Sequence, residues 1–411
     1  MRSVSHIVRI VAACCLFSAA SDARGADLTL PHRVASVAAD FQRTNQPIVF
    51  QSESAIPADG TWHLVEVTAG VPRPVPAQVE GSDRLRVWWI LDGTTAPGQS
   101  RHFEFRSGKP AATEEITTVD EEGSLTVRSG SANILRYRMQ HVTPPQGIDK
   151  RFGRSAYIHP VWTPRGAIVT EEFPRDHAHQ SGIFLAYTKA VFEGRPTNFW
   201  EIKDQKGQVR FKSLLETRSG PVFGGFLVQQ EHVDLTAPGG KVALNETWNV
   251  RAWQTGGPKS GYWMFDVEST LTCATDSSLQ LPTYHYGGFA VRGAGTWTPA
   301  ATTFLTSEKQ TRKDANHTRP KWSDLAGPTS NGEQAGIAIC THPQNFRYPE
   351  PVRIHDKMPY FVYTASPLGD WSIEPAKPHV SRYRVIVHDD LLSADQLDQL
   401  CQNFAEPAVA K

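Results

Sequence analysis

The segment EEFPRDHAHQSGIFLAY, Glu171 to Tyr187, puts an aspartate and two histidines within four positions: Asp176, His177 and His179. In an extended chain alternate side chains share a side, so the two imidazoles point the same way. A His-x-His pair can give two nitrogen ligands to a transition metal, or two groups that exchange protons near neutral pH. A metal would need a further ligand from His159, His285 or His342, since Gln180 and Ser181 are poor donors. The alternative is a loop stitched by hydrogen bonds from Asp176 and its histidines. The expectation is no cofactor and no resident transition metal, with His159, His177 and His179 as the ligand set if a metal is held.

Two further histidines precede prolines. In YIHPVWTPRG, His159 stands before Pro160, which forces an extended approach, and the turn TPRG brings His159 back toward the DHAH stretch. His159, His177 and His179 are therefore expected to converge within about 8 Å, a span that lets groups share one small molecule. In THPQNFRYPEP, the prolines make a rigid loop that presents His342, Asn345 and Arg347 to a hydroxylated or carboxylated ligand. Two carboxylates are candidate bases. Glu246 in VALNETWNV falls on the apolar face of a strand, where a carboxyl needs a partner or a raised pKa. Glu201 follows two aromatics in NFWEI, a setting that suits stacking on a sugar ring and also an ordinary core.

The elements that must position these residues are strands. Runs such as LRVWWIL, VRFKSLLET, GGFLVQQEHVDL, GYWMFDVESTL and SRYRVIVHDD are separated by Gly, Pro and Asp turns, and none carries a helical period. Parity puts Trp263, Phe265, Val267 and Leu271 on one face, and Tyr262, Asp266 and Glu268 on the other. In YHYGGFAVRG, Tyr286 and Arg292 share a face and His285 points inward, unless a bulge at Gly287-Gly288 reverses it. Arg292, Asp266 and Tyr286 are thus expected to line an open cleft. Ser393 caps a single short helix, ADQLDQLCQNF, with Leu397, Leu400, Cys401 and Phe404 on one side.

The bulk properties exclude several classes. The 411 residues hold 42 Lys+Arg and 42 Asp+Glu, so no net field favours nucleic acid. The first 26 residues read as an export signal, with Arg2 and Arg9 before the apolar run Ile10 to Ala20, too short to span a bilayer. VAAC ending at Cys14 matches a lipoprotein box, but Arg9 interrupts its apolar run, so an unlipidated periplasmic or extracellular protein is expected. Cys14 and Cys15 leave with the signal. Cys273, Cys340 and Cys401 remain, allowing at most one disulfide and showing no zinc spacing. No Gly-rich phosphate loop, GxSxG elbow, HExxH helix or dinucleotide fingerprint occurs. A small β domain is expected over residues 27–112, a β-sandwich over 113–392, and the helix and tail over 393–411.

The motifs YIHPVWTPRG, DHAHQSGIF, TNFWEI, YGGFAVR, KWSDLAG and THPQNFRYP, in this order from Tyr157 to Pro349, resemble the bacterial exported family labelled PmoA-like or methane oxygenase PmoA. Gln180 and Ser181 stand where that family commonly has a further His and an Arg. The resemblance implies an antiparallel, galactose-mutarotase-like β-supersandwich and a setting in sugar degradation. It does not imply an oxygenase: the membrane subunit of that name crosses the bilayer many times, and no later stretch here is long and apolar enough to cross once. The expected function is a carbohydrate-active enzyme using His/carboxylate acid–base chemistry, in which His159, Asp176, His177, His179 and Glu201 or Glu246 react, while Tyr286, Arg292, His342, Asn345 and Arg347 bind a sugar or small polar ligand. The rival is a non-catalytic glycan-binding module.

Overall fold

The computed structural model describes residues 29–410 apart from 31, 38–40, 58–59 and 69. The export signal expected over residues 1–26 lies outside the described residues. Among the described residues the architecture is all-β and antiparallel almost throughout, with one α-helix, Ala394–Ala405.

Two eight-stranded sheets make the central sandwich. The long sheet runs Gly207–Arg218, Phe223–Asp234, Lys241–Gly257, Tyr262–Cys273, His379–Asp389, Gln334–Thr341, Trp322–Pro328 and Thr303–Thr306, in spatial order. The facing sheet runs Val352–Ile354, Tyr360–Tyr363, Gly288–Arg292, Ile183–Ala186, Ile158–Val161, Ala132–Arg138, Ser124–Ser129 and Ile116–Glu121. It is called the site sheet below. Alternation decides which side chains meet between them: Phe289 of the site sheet stacks on Tyr383 of the long sheet, ring centroids 4.1 Å apart and 8° from parallel. Tyr137 meets Phe226 and Trp248 in the same layer. Each such aromatic pair adds about 0.5–1.5 kcal/mol beyond the area it buries. A four-stranded sheet built on Ala190–Phe192 and Leu279–Leu281 closes one end.

The first seven strands form a third eight-stranded sheet. Trp89 and Phe103 lie four places apart in its strand order, yet their rings are 5.2 Å apart, so this sheet curls over its own core. In Arg86–Thr95, Val87, Trp89 and Leu91 enter that core. Trp88 and Ile90 point the other way, onto Phe223, Trp253 and Met264 on the outer face of the long sheet. The eighth strand comes from the other end of the chain: Val409–Ala410 pairs antiparallel with His32–Val37 and parallel with Arg43–Gln51. The C-terminal helix is started by a capping box between Ser393 and Gln396. Leu397, Leu400 and Cys401 fix it to the long sheet, where Cys401 is disulfide-bonded to Cys340. Cys273 is free.

The open face of Tyr262–Cys273 therefore looks away from the site sheet. Asp266 binds Arg384 at 2.7 and 2.9 Å and accepts from Trp253 Nε1 at 2.8 Å, on the far side of the long sheet from Arg292. It does not share a cleft with Arg292 and Tyr286. Parity had assigned its face within the strand correctly, but parity does not say which layer that face meets.

Candidate functional site

The site lies on the outer face of the site sheet and is organised by the segment from Glu171 to Gly182. Main-chain bonds close this segment as a loop. Gly182 N–H donates to Glu171 O at 2.8 Å, and Gly182 O accepts from Arg292 N–H at 2.8 Å. Gly182 has φ 57°, and a Cβ there would stand 2.0 Å from Ile158 O, so only glycine permits the closure. Gln180 and Ser181 serve the same loop. Gln180 Oε1 accepts from Arg292 Nη1 at 3.3 Å, and Ser181 Oγ accepts from Phe173 N–H at 3.1 Å.

Arg292 is the centre. Its side chain is 5% exposed, and its guanidinium reaches two carboxylates. Nε and Nη2 donate to Glu171 Oε2 at 3.1 and 3.0 Å, while Nη2 and Nη1 donate to Asp176 Oδ1 and Oδ2 at 2.9 and 3.3 Å. The two carboxyls move in opposite directions. Burial pushes Glu171 up and outweighs the pull of Arg292. For the more exposed Asp176 burial also acts upward, but Arg292 and His177 together hold the carboxyl below its ordinary value.

Beside Asp176 the histidines gather. The His177 ring lies 5.5 Å from that of His179 and 5.8 Å from that of His355. Burial, reinforced by His177, Arg154 and Arg292, pushes His179 down to about 3, so it is neutral at physiological pH. His355 is also lowered, chiefly by burial, and its Nδ1 accepts the Lys357 N–H at 3.1 Å. Among the described residues no group of three or more His, Cys, Asp or Glu side chains is arranged to hold a metal ion.

An aromatic layer continues from Phe184, which lies against the guanidinium of Arg154, the donor to the His179 carbonyl. Trp200, 1% exposed, packs against Phe184 at 4.7 Å, Tyr286 at 5.5 Å and Tyr360 at 6.1 Å. Asn198 shapes the preceding turn, since its Oδ1 accepts from both Trp200 and Glu201 N–H at 3.0 Å. That turn delivers Glu201 to Tyr286, whose hydroxyl donates to Oε1. Burial first and Glu201 second push the Tyr286 phenol up, so it remains a neutral donor. Gly288, at φ 147°, passes so close to Tyr363 O that a Cβ would stand 2.2 Å from it. Before this irregularity His285 is exposed and its ring meets Tyr284 at a tilt and Tyr286 edge-on, so the inward orientation expected for His285 is reversed.

Two clefts meet at Arg175 and Asp176. One, about 550 Å³, is lined by Glu171, Arg292, Trp297, Lys357 and Met358 among others. The second, about 390 Å³, is lined by Phe152, His177, His179 and Lys203.

Several sequence candidates stand elsewhere. His159 bonds Thr170 Oγ1 through Nδ1 at 3.0 Å, and burial with Arg138 and Arg136 pushes it down to about 3. It lies toward the Arg136 and Arg138 side of the sheet, and among the described residues no ring contact joins it to His177 or His179. The premise of an imidazole near its ordinary pKa does not hold for His159 or His179, because both are desolvated among cations. Glu246 is sealed between the two sheets, accepting from Trp248 Nε1 at 2.6 Å, Ser269 Oγ at 2.5 Å and Gln230 Nε2 at 3.2 Å, with His232 Nε2 at 2.8 Å. His342 packs on Phe404 of the C-terminal helix. Asn345 is spent on Glu350 and the Arg382 backbone. Arg347 donates to the carbonyls of Ala365, Gly369 and Asp370. The proline-rich loop is rigid as expected, but its polar groups hold the fold rather than line the clefts at Arg292.

Sequence reasoning missed Glu171, Arg154 and His355. Glu171 opens the same loop as the DHAH motif, but nothing in its spacing separates it from Glu172. Tertiary contact alone brings His355 to His177.

Fold and site together define an antiparallel β-sandwich protein with a charged groove on one face. The chain belongs to the family of unknown function DUF6807, whose model matches residues 124–402. None of the curated proteins matches it in sequence. Among solved structures it is similar to heparan sulfate lyase HepC from Pedobacter heparinus at 10% identity, with a TM-score of 0.32. That match covers 70% of this chain and 38% of the lyase. A mutant of the same lyase gives a TM-score of 0.30 at the same identity and coverage. This chain thus corresponds to well under half of the lyase, and a likeness of this size says nothing of activity.

Proposed function

We propose that this protein is an exported carbohydrate-active enzyme that works by acid–base chemistry in the groove around Arg292. The observation that carries the reading is the pair of carboxylates on one buried guanidinium, driven apart in acidity: Glu171 upward and Asp176 downward. Two such groups, displaced in opposite directions from their ordinary values, suit an acid and a base acting on one substrate. Glu171 would protonate a leaving or ring oxygen. Asp176 would accept a proton from a hydroxyl, a ring carbon or water. His177, neutral His179 and His355 would orient hydroxyl groups, while Trp297 and Phe152 supply apolar walls to the two clefts.

Export is part of the proposal. It is supported by the signal-like first 26 residues and by the Cys340–Cys401 disulfide, since such bonds persist mainly in oxidising compartments. The resemblance of the motifs to the PmoA-like family also belongs here, because they fall inside the matched segment. No helix among the described residues is long and apolar enough to cross a membrane.

The test is turnover of a panel of poly- and oligosaccharides, read as new reducing ends, unsaturated products or anomer exchange, with Asp176→Asn and Glu171→Gln alongside. Activity that falls at least about 100-fold in each variant, the scale of a lost acid or base, supports the proposal. Glycan binding without turnover across the panel and across pH would overturn it in favour of a binding module.

A further inference from the structure

Arg154 is a deeply buried cation with no counter-charge. It is 4% exposed, it makes no ion pair among the described residues, and its one hydrogen bond runs from Nη1 to the carbonyl of His179 at 2.8 Å. Its Nε is buried without any partner. Aromatic rings of Phe184 and Tyr157 lie 4.7 and 5.4 Å from the guanidinium carbon. Two other buried arginines are paired with carboxylates, Arg292 with Glu171 and Asp176 and Arg384 with Asp266, while Arg43 bonds Gln46 and the Glu406 carbonyl through Nη1. A buried charge is costly unless something opposite completes it.

The groove above repeats the pattern. Arg175 lines both clefts, Lys203 lines the one under His179, and Lys357 lines the one at Arg292. All three are exposed, and none is in an ion pair among the described residues. Many exposed guanidiniums elsewhere carry a carboxylate, as Arg33 does with Glu104, Arg73 with Glu66 and Arg165 with Asp390. The acidic groups of the groove are already hydrogen-bonded to other arginines, Glu171 and Asp176 to Arg292 and Asp149 to Arg151, although Asp149 also feels Lys203.

We propose that the ligand of this groove is an acidic sugar, whose carboxylate or sulfate ester is gathered by Arg175, Lys203 and Lys357 in front of the uncompensated Arg154, which holds the His179 carbonyl at the back of the second cleft. This rests on the carbohydrate reading above and narrows it to a substrate class. Planar guanidinium binds either anion through paired N–H donors, so both sources share the same chemistry.

Tryptophan fluorescence, with Trp297 lining the cleft at Arg292, and thermal shift would follow titrations of the full-length protein with glucuronate, inorganic sulfate and glucose. Tighter binding of glucuronate assigns a carboxylate, and tighter binding of sulfate assigns a sulfate ester. Either affinity should fall about tenfold or more between low salt and 0.5 M salt, as screening shortens the reach of the cations. The triple variant Arg175→Gln, Lys203→Gln, Lys357→Gln changes only exposed side chains and should keep the wild-type Tm while losing most of the anion preference. Equal affinity for glucose and both anions, or an unaltered preference in the folded triple variant, would overturn the inference. Turnover of neutral sugars with no anion preference would sink this inference alone, whereas anion binding without any turnover would sink the acid–base reading alone.

Discussion

Arg292 and Asp176 face each other edge to edge, Nη2 to Oδ1 at 2.9 Å and Nη1 to Oδ2 at 3.3 Å, and this pair joins the DHAH loop to the sheet. Asp176 is part-exposed, whereas Arg292 is buried, so removing the arginine also strands Glu171. Arg292→Met is expected to cost about 3 kcal/mol or more of stability, since breaking a buried charge pair is strongly destabilising. It should also cut any turnover. Denaturant titration checks the first effect. An unchanged midpoint would mean that the loop is held by its main-chain bonds alone.

The opposite displacements of Glu171 and Asp176 set a pH profile. A base that must be ionised fails as pH falls through its folded pKa, here below the ordinary aspartate range. An acid that must be protonated fails as pH rises through its own, here above the ordinary glutamate range. The rate should therefore be bell-shaped on the acid side of neutrality. Glu171→Gln should remove the descending alkaline limb from the residual activity, and retention of that limb would reassign the acid.

A separate pH effect is expected on stability. Burial pushes Glu350 up to about 7 from 4.5, against the hydrogen bonds of Tyr383 and Asn345 that favour its ionised form. A raised carboxyl contributes stability in full below its unfolded value and loses it as pH rises through the folded one. Unfolding free energy should accordingly decline between about pH 4.5 and 7, by on the order of 3 kcal/mol. Glu350→Gln keeps the shape without the charge and should flatten that slope in urea titrations across the window.

Glu246 makes a contrasting case. It sits in the sealed layer with four polar neighbours, and Glu246→Leu would leave Trp248, Ser269 and Gln230 as buried donors with no acceptor. A loss of about 3 kcal/mol or more is expected, with the specific activity of the folded fraction unchanged. Activity lost without a loss of stability would return Glu246 to the chemistry.

Reduction should loosen the C-terminal end. The Cys340–Cys401 bond spans 61 positions, for which chain-entropy reasoning gives about 4 kcal/mol. Cys401→Ser, or dithiothreitol, should lower the unfolding midpoint to a similar extent, measured by near-UV circular dichroism. Equal midpoints with and without reductant would count against the bond.

What the sequence determined by itself is local. Period-two alternation and turn residues specified strands, and the burial of Val87, Trp89 and Leu91 or of Trp263, Phe265 and Val267 follows from that period alone. Ser393 and the spacing of Leu397, Leu400 and Cys401 specified the helix, because its cap and face are set within four residues. The DHAH motif drew attention to the right loop, as Asp176, His177 and His179 must lie near one another wherever the chain goes. Everything that depended on which layer a face meets was decided by tertiary structure. Glu246 and Asp266 were each assigned a face correctly, yet one is enclosed between sheets and the other lies beyond the long sheet. Tyr286 and Glu201 meet although 85 positions separate them, and Arg292 and Asp176 meet across 116. His342 and Arg347 had the chemistry of ligand groups but were consumed by the helix and by backbone carbonyls. The last strand, Val409–Ala410, closes the first sheet. Its two residues carry no pattern of their own, so only the unpaired edges waiting at the other end of the chain could make them a strand.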